Sequence, residues 1–220
     1  MNVSAKNAPV VPIVAACGLA VACYFFPLFH LVPLHAPASV DSAANTPTTF
    51  DPVGVAAKIW RTDLPAAAQH ALELHALVGP LRENPEAAAK KFGKSSGLGA
   101  AYYFVRGSGK VVAHERNILR LALDGDESAV IALRIGPVFG NAVRDGCGLL
   151  DVNSFPGVQE FNALAAELNA CVEKSVLPAL RDKAVVGAIV QFAGCAEAPD
   201  SPVDAGEPLL TIVPVQAEVR

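Results

Sequence analysis

The sequence predicts an α+β chain: an N-terminal transmembrane helix, then helices packed on a five-stranded β-barrel with a helix between strands 3 and 4. Two observations predict it. Apolar positions recur at helical spacing from residue 51 until close to Leu98, and at extended spacing beyond it. The extended part then reads strand, strand, strand, long helix-bearing connection, strand, strand.

The 220 residues suit one compact domain and a separate segment. Mean hydropathy is +0.38, but the apolar excess is concentrated in Ala8–Leu34, which carries no charged side chain if His30 is neutral. A run of that kind is long enough to cross a bilayer as a helix. Lys6 on its N-terminal flank then orients the helix with the body outside. The domain division is therefore a signal-anchor at 1–34, a flexible tether at 35–50 rich in Ala, Pro, Ser and Thr, and an extracytoplasmic α+β domain at 51–220. This makes the chain a single-pass inner-membrane protein with its C-terminal domain in the periplasm. Two other readings stand beside the anchor. Val14-Ala15-Ala16-Cys17 and Ala20-Val21-Ala22-Cys23 each resemble a lipobox, and the segment can also be a buried core helix. Of the 17 Lys and Arg only Lys6 precedes residue 35, so the remainder sets 16 against 21 Asp and Glu, a net charge of −5. That balance argues against a nucleic-acid partner.

Within the domain, Asp51-Pro52 opens a first helix, with Asp51 as cap and Trp60 as a core anchor. Thr62-Asp63-Leu64-Pro65 opens a second, which Gly79-Pro80 stops. Asn84-Pro85 opens a third, ending at Gly93. Ala101–Glu115 is extended, and Gly107-Ser108-Gly109 within it marks a bulge, a bend or a tight hairpin. Strands follow at Leu119–Leu123 and Ala129–Ile135 around the turn Asp124-Gly125-Asp126. Val138–Val152 is an irregular connection. Asn153 or Ser154 caps a helix whose stripe is Phe161, Leu164, Ala165, Leu168, Val172, Val176 and Leu177, and Pro178 kinks or divides it. Val186–Glu197 and Leu209–Glu218 complete the strands. Three strands, a helix and two strands is the layout of the OB-fold.

The run Ile135-Gly136-Pro137, Gly140, Arg144-Asp145, Gly148, Phe155, Gln159 and Leu168-Asn169 resembles the family called domain of unknown function 2291, described as predicted periplasmic lipoproteins. The Ile59-Trp60 helix, the KKFG end of the third helix, the YYFVRGSGKVV strand and the VQFAGCAE strand fit the same pattern, so the resemblance spans residues 50 to 198. Asn141 stands where the family pattern has Thr, and Pro156-Gly157-Val158 replaces an aromatic-rich step before Gln159. The resemblance implies an envelope location and an association with sugar ABC importers. It implies no activity and no cofactor.

Arg144 and Asp145 are the strongest candidates for ligand binding, with Asn153 and Gln159 beside them. Neighbours on an extended chain point to opposite sides, which leaves the planar fork of Arg144 open to a carboxylate, phosphate or sugar hydroxyl. The competing reading ties Arg144 to backbone carbonyls and makes Asp145 a turn cap. His70 and His75 stand five apart, the wrong spacing for a shared metal on a helix, and no metal site is expected. No histidine lies near a cysteine in sequence, and carboxylates are scattered. Cys171 and Cys195 can pair in an oxidising compartment if the fold brings them together, whereas Cys147 suits a small buried hydrophobe. The leading expectation is a non-enzymatic accessory or binding domain, attached to the membrane by its N-terminal helix, that meets ABC transporter components or a small solute. The alternatives are a hydrolase using scattered carboxylates and an OB-type oligonucleotide binder.

Overall fold

The computed structural model describes residues 50–95, 100–204 and 206–220. The expected anchor at 1–34 and nearly all of the tether lie outside the described residues. Among the described residues no helix is long and apolar enough to cross a membrane.

Helix α1, Pro52–Lys58, is capped as expected: the Asp51 carboxylate accepts the Gly54 N–H at 3.0 Å. The chain does not break at Thr62-Asp63. It passes through a π-turn, Ile59–Asp63, directly into α2, Leu64–Gln69. The widened turn lets the Leu64 N–H reach back to Ile59 O and carries the helix to Pro65, which has no N–H to offer. Trp60, in this turn, is half-buried against the core.

The second expected helix is divided. After α2 the chain extends into a two-residue strand β1, Leu72–Glu73, and only then forms α3, Leu74–Glu83. Gly79-Pro80 does not stop α3; Pro80 sits inside it. An interior proline costs roughly 3 kcal/mol, and burying one Leu or Val returns about 1.5–3 kcal/mol. Leu74, Leu77, Val78 and Leu81 are all buried, so packing outweighs the proline. Helix α4, Pro85–Phe92, agrees with the reading at both ends, with Asn84 accepting the Ala87 N–H at 2.9 Å and Gly93 as its C-cap.

Strand β2, Tyr102–His114, is continuous, so Gly107-Ser108-Gly109 is not a hairpin. Its first part pairs antiparallel with β5, Ile189–Glu197, and its second part with β3, Ile118–Leu123. Gly109 and Lys110 have partners on both sides. A Cβ at Gly109 would lie 2.7 Å from Ala122 O, so only glycine permits this close approach. The bulge falls two residues later, between Val111 and Ala113. A two-residue turn with Gly125 at φ 80° joins β3 to β4, Asp126–Arg134.

The sheet has six strands in the order β1-β2-β3-β4-β6-β5, where β6 is Thr211–Val219, and β2 also pairs with β5. The pairings therefore return to their start through five long strands. The thinnest seam is parallel β4–β6, with Ala132 opposite Thr211 and Leu133 opposite Ile212. The sequence missed β1, because two residues carry no periodicity.

The connection from β4 to β5 is more regular than expected. It contains a short helix α5, Ala142–Gly146, and a 3-10 turn, Val152–Ser154, before α6, Val158–Ser175. Neither Asn153 nor Ser154 caps α6. Both lie in the turn, whose cap is Asp151, and Gly157 precedes the helix. The predicted stripe is buried at every position. Pro178 divides the helix as read, standing in the first turn of α7, Leu177–Lys183.

Candidate functional site

Arg144 and Asp145 come together with each other. Because α5 is helical, adjacent side chains stand about 100° apart, not on opposite sides as along an extended strand. Nε and one terminal nitrogen of Arg144 donate to the two Asp145 carboxylate oxygens at 2.7 and 2.9 Å, a bidentate geometry. The side chains are 2% and 1% exposed. The other terminal nitrogen donates to Asn162 Oδ1 at 2.7 Å and to Phe161 O at 3.5 Å, and the guanidinium lies 3.9 Å from the Phe161 ring centroid. Phe161 contacts Phe155, which meets Phe50 edge-on. Thus α5 is fastened to α6, and α6 to the entry of the domain. On its other side Gly146 approaches β5 so closely that a Cβ there would stand 2.8 Å from Cys195 Cβ.

Asn153 and Gln159 are not part of this cluster. Asn153 is exposed and donates to Asp151 Oδ1 at 2.9 Å through both its backbone and its amide. Gln159 is exposed in the first turn of α6. Asn162, which the sequence offers beside Asn153 and Gln159 as a residue able to hydrogen-bond a sugar or to lie on a solvated helix face, instead completes the arginine's shell. Its signal was its position one residue after Phe161, where a helix turns from the buried stripe toward its flank.

A concavity of about 740 Å3 lies elsewhere, beside Arg106, Gly107 and Ser108 of β2. Gln69 from α2, Glu73 from β1, His75 from α3, Arg106 and Ser108 from β2, Asp124 from the β3–β4 turn, Gln191 from β5 and Gln216 and Glu218 from β6 converge on it, with Phe192 also in its lining. Arg106 is fixed there by Glu73 at 2.7 Å and by Gln69 O at 2.9 Å. Glu218 is engaged by Arg220 at 3.1 Å. Gly107, in the same wall, has Leu74 and Phe192 within ordinary contact of the Cβ it lacks, which keeps β2 close against α3. Sequence reading missed this site because its residues come from seven segments, each unremarkable alone.

His70, His75 and His114 are exposed. Burial pushes the thiols of Cys147, Cys171 and Cys195 above their ordinary range, furthest for Cys195, which disfavours thiolate nucleophiles. All three cysteines are free, so Cys171 and Cys195 do not pair. Among the described residues no group of three or more His, Cys, Asp or Glu side chains could hold a metal ion.

The profile of the family described as predicted periplasmic lipoprotein, DUF2291, matches residues 19–218. The chain belongs to this family. An OB-fold protein of known crystal structure from Thermotoga maritima is similar to the DUF2291 chain, with a TM-score of 0.65 and 24% identity over 78% of this chain and 99% of the other. At that identity the likeness speaks for the fold. It agrees with the strand order, in which a parallel β4–β6 seam and the β2–β5 pairing follow the OB layout. No curated protein matches the chain. The DUF2291 description carries no activity, and none of these likenesses links the chain to sugar import.

Proposed function

We propose that this DUF2291 protein is a non-enzymatic periplasmic binding domain held at the inner membrane, and that its ligand site is the concavity beside Arg106 and Ser108 of β2. One observation carries the reading: side chains from seven segments converge on about 740 Å3 of space lined by amides, hydroxyl, carboxylates and one fixed arginine. Convergent polar groups in a cleft of that size fit a small polar solute. The lining sets Glu73, Asp124 and Glu218 against the single cation Arg106, a balance that disfavours an anion. The five long strands act as an OB-type barrel that holds these segments in place. Arg144 and Asp145 have a scaffolding role apart from this site, fixing α5 against α6, while Asn153 and Gln159 lie on the α6 entrance as surface contacts.

The test is native mass spectrometry of full-length protein extracted from its own membranes. The reading expects a bound small molecule on wild-type protein and its loss in Gln191→Trp, which fills the concavity from an exposed position. Wild-type protein with no adduct, or an adduct that survives Gln191→Trp, overturns it.

The proposed anchor is the uncleaved segment 1–34, which lies outside the described residues. The family description, predicted periplasmic lipoprotein, supports a second form, lipid on Cys17 or Cys23. The intact N-terminal mass separates the two: a Met1 or Asn2 end means a helix, and a diacylated cysteine means lipid.

A further inference from the structure

We propose that the turn Val185–Ala188, with Val112 beside it, rests in the surface of an anionic lipid bilayer and docks the domain there. Three of the seven exposed large apolar residues described gather at this place: Val185 and Val186 are each 63% exposed and Val112 45%. A lone surface valine needs no explanation, but three on one fixed tip do. The Ala188 N–H donates to Val185 O at 3.0 Å and closes the turn, with Gly187 at φ 95°. Pro, Asn, Asp or Ser ordinarily fills such turn positions, and valine fills them here. Nothing lies within 4 Å of the Cβ position of Gly187, so the tip is open on that side. Strand pairing holds it from behind. The Gly187 N–H donates to Val111 O at 2.8 Å, the Val111 N–H donates to Ala188 O at 2.9 Å, and Ile189 and Arg220 exchange both backbone bonds. The valines therefore meet a partner at little ordering cost.

Charge selects the occupant. The chain from His35 onward sets 16 Lys and Arg against 21 Asp and Glu. Around the tip the balance is reversed. Arg181 and Lys183 stand in the last turn of α7, just before it, and the Lys183 carbonyl accepts the Val185 N–H at 2.9 Å. Lys110 and Arg220 lie opposite Ile189 on its two sides, so all three share a face. These four cations meet two carboxylates, Asp182 and Glu218, and Glu218 is held by Arg220 at 3.1 Å. Valines at a turn tip do not make a protein hot spot, which takes Trp, Tyr or Arg seated in pockets. Apolar side chains ringed by cations suit a bilayer: the valines enter the acyl boundary while ammonium and guanidinium groups meet lipid phosphates. The 15 residues between Leu34 and Phe50 reach about 50 Å when extended, so any face of the domain can turn to the membrane. The inference rests on the proposed membrane attachment and not on the ligand site.

The experiment uses the full chain reconstituted in vesicles of equal parts phosphatidylcholine and phosphatidylglycerol whose acyl chains carry bromine, a contact quencher of tryptophan fluorescence. Trp60, the only tryptophan in the sequence, is half-buried and sets the baseline. Val186→Trp and Val112→Trp should each be quenched well beyond it. Quenching of Val186→Trp should be lost when Lys110→Glu and Lys183→Glu are added, and when phosphatidylcholine is the only lipid. Glu86→Trp, on α4, should stay at the baseline. All of these positions are exposed, so the fold tolerates the changes. Flotation with the vesicles reports attachment separately. A chain that floats with Val186→Trp unquenched, as it would if the tip awaited a protein, overturns the proposal alone. So does quenching that persists through both the charge reversal and the change of lipid, or that Glu86→Trp shares. A chain that does not float overturns the membrane attachment as well.

Discussion

Arg144 and Asp145 are neighbours in sequence and partners in space, joined through two hydrogen bonds of 2.7 and 2.9 Å and closed to solvent. A buried pair of this kind adds little over a well-packed apolar pair, but removing one member strands the other as an uncompensated charge. Arg144→Ala is expected to cost about 3–5 kcal/mol. Asp145→Ala is expected to cost a similar amount, and the double change clearly less than the sum. Urea unfolding of the four proteins, arranged as a double-mutant cycle, checks this; additive losses would show that the pair does not act as a unit.

Gly109→Ala is expected to destabilise by about 1–3 kcal/mol, because the new methyl meets backbone at Ala122 O and backbone cannot move aside as a flexible side chain does. Gly107→Ala, two residues earlier on the same strand, is the control: its new Cβ would meet Leu74 and Phe192 only at 3.4 and 3.5 Å, ordinary contact distances. Thermal melts should show a clearly larger loss for Gly109→Ala than for Gly107→Ala.

Thiol reactivity should divide by burial. Cys171 is partly exposed on α6, while Cys147 and Cys195 are buried. Alkylation of native protein followed by peptide mapping should modify Cys171 first and leave Cys147 and Cys195 intact until the protein unfolds. Early modification of Cys195 would contradict its placement on β5.

Asp126 offers a pH-dependent contact. The Ser128 hydroxyl foremost, and Arg82 with it, hold the Asp126 carboxyl below its ordinary range against a smaller opposing effect of desolvation. A depressed folded-state value means that the contact stabilises above the unfolded-state value and is lost as pH falls through the folded one. Carboxylate titration by NMR should place Asp126 below an ordinary aspartate, and Ser128→Ala should move it up. An unmoved midpoint would show that the hydroxyl is not the cause.

The elements legible in the sequence are those set by local chemistry. Asp51 and Asn84 cap helices because their side chains reach N–H groups three residues away. The stripe from Phe161 to Val172 is buried because spacing alone puts it on one face. The turn at Gly125 follows from a two-residue link needing a positive φ. The family was readable for the same reason, since each of its motifs is a short local run, the densest from Ile135 to Asn169.

Distance along the chain explains the rest. Whether Pro80 ends a helix depends on the burial of Leu74, Leu77, Val78 and Leu81, and no window around Pro80 contains their partners. Whether Arg144 faces a ligand or Asp145 depends on five residues forming a helix under Asn162, 18 positions away. The concavity beside Arg106 and Ser108 gathers residues from Ala68 to Glu218, so it exists only once the strands have paired. The sequence by itself determined the order of the five long strands and of α6 between them, the caps at Asp51 and Asn84, and the buried stripe of α6, because short-range sterics and hydrogen bonds act within a few residues. The tertiary structure alone decided which polar groups meet, because charge pairing and shared burial act across space and ignore separation along the chain.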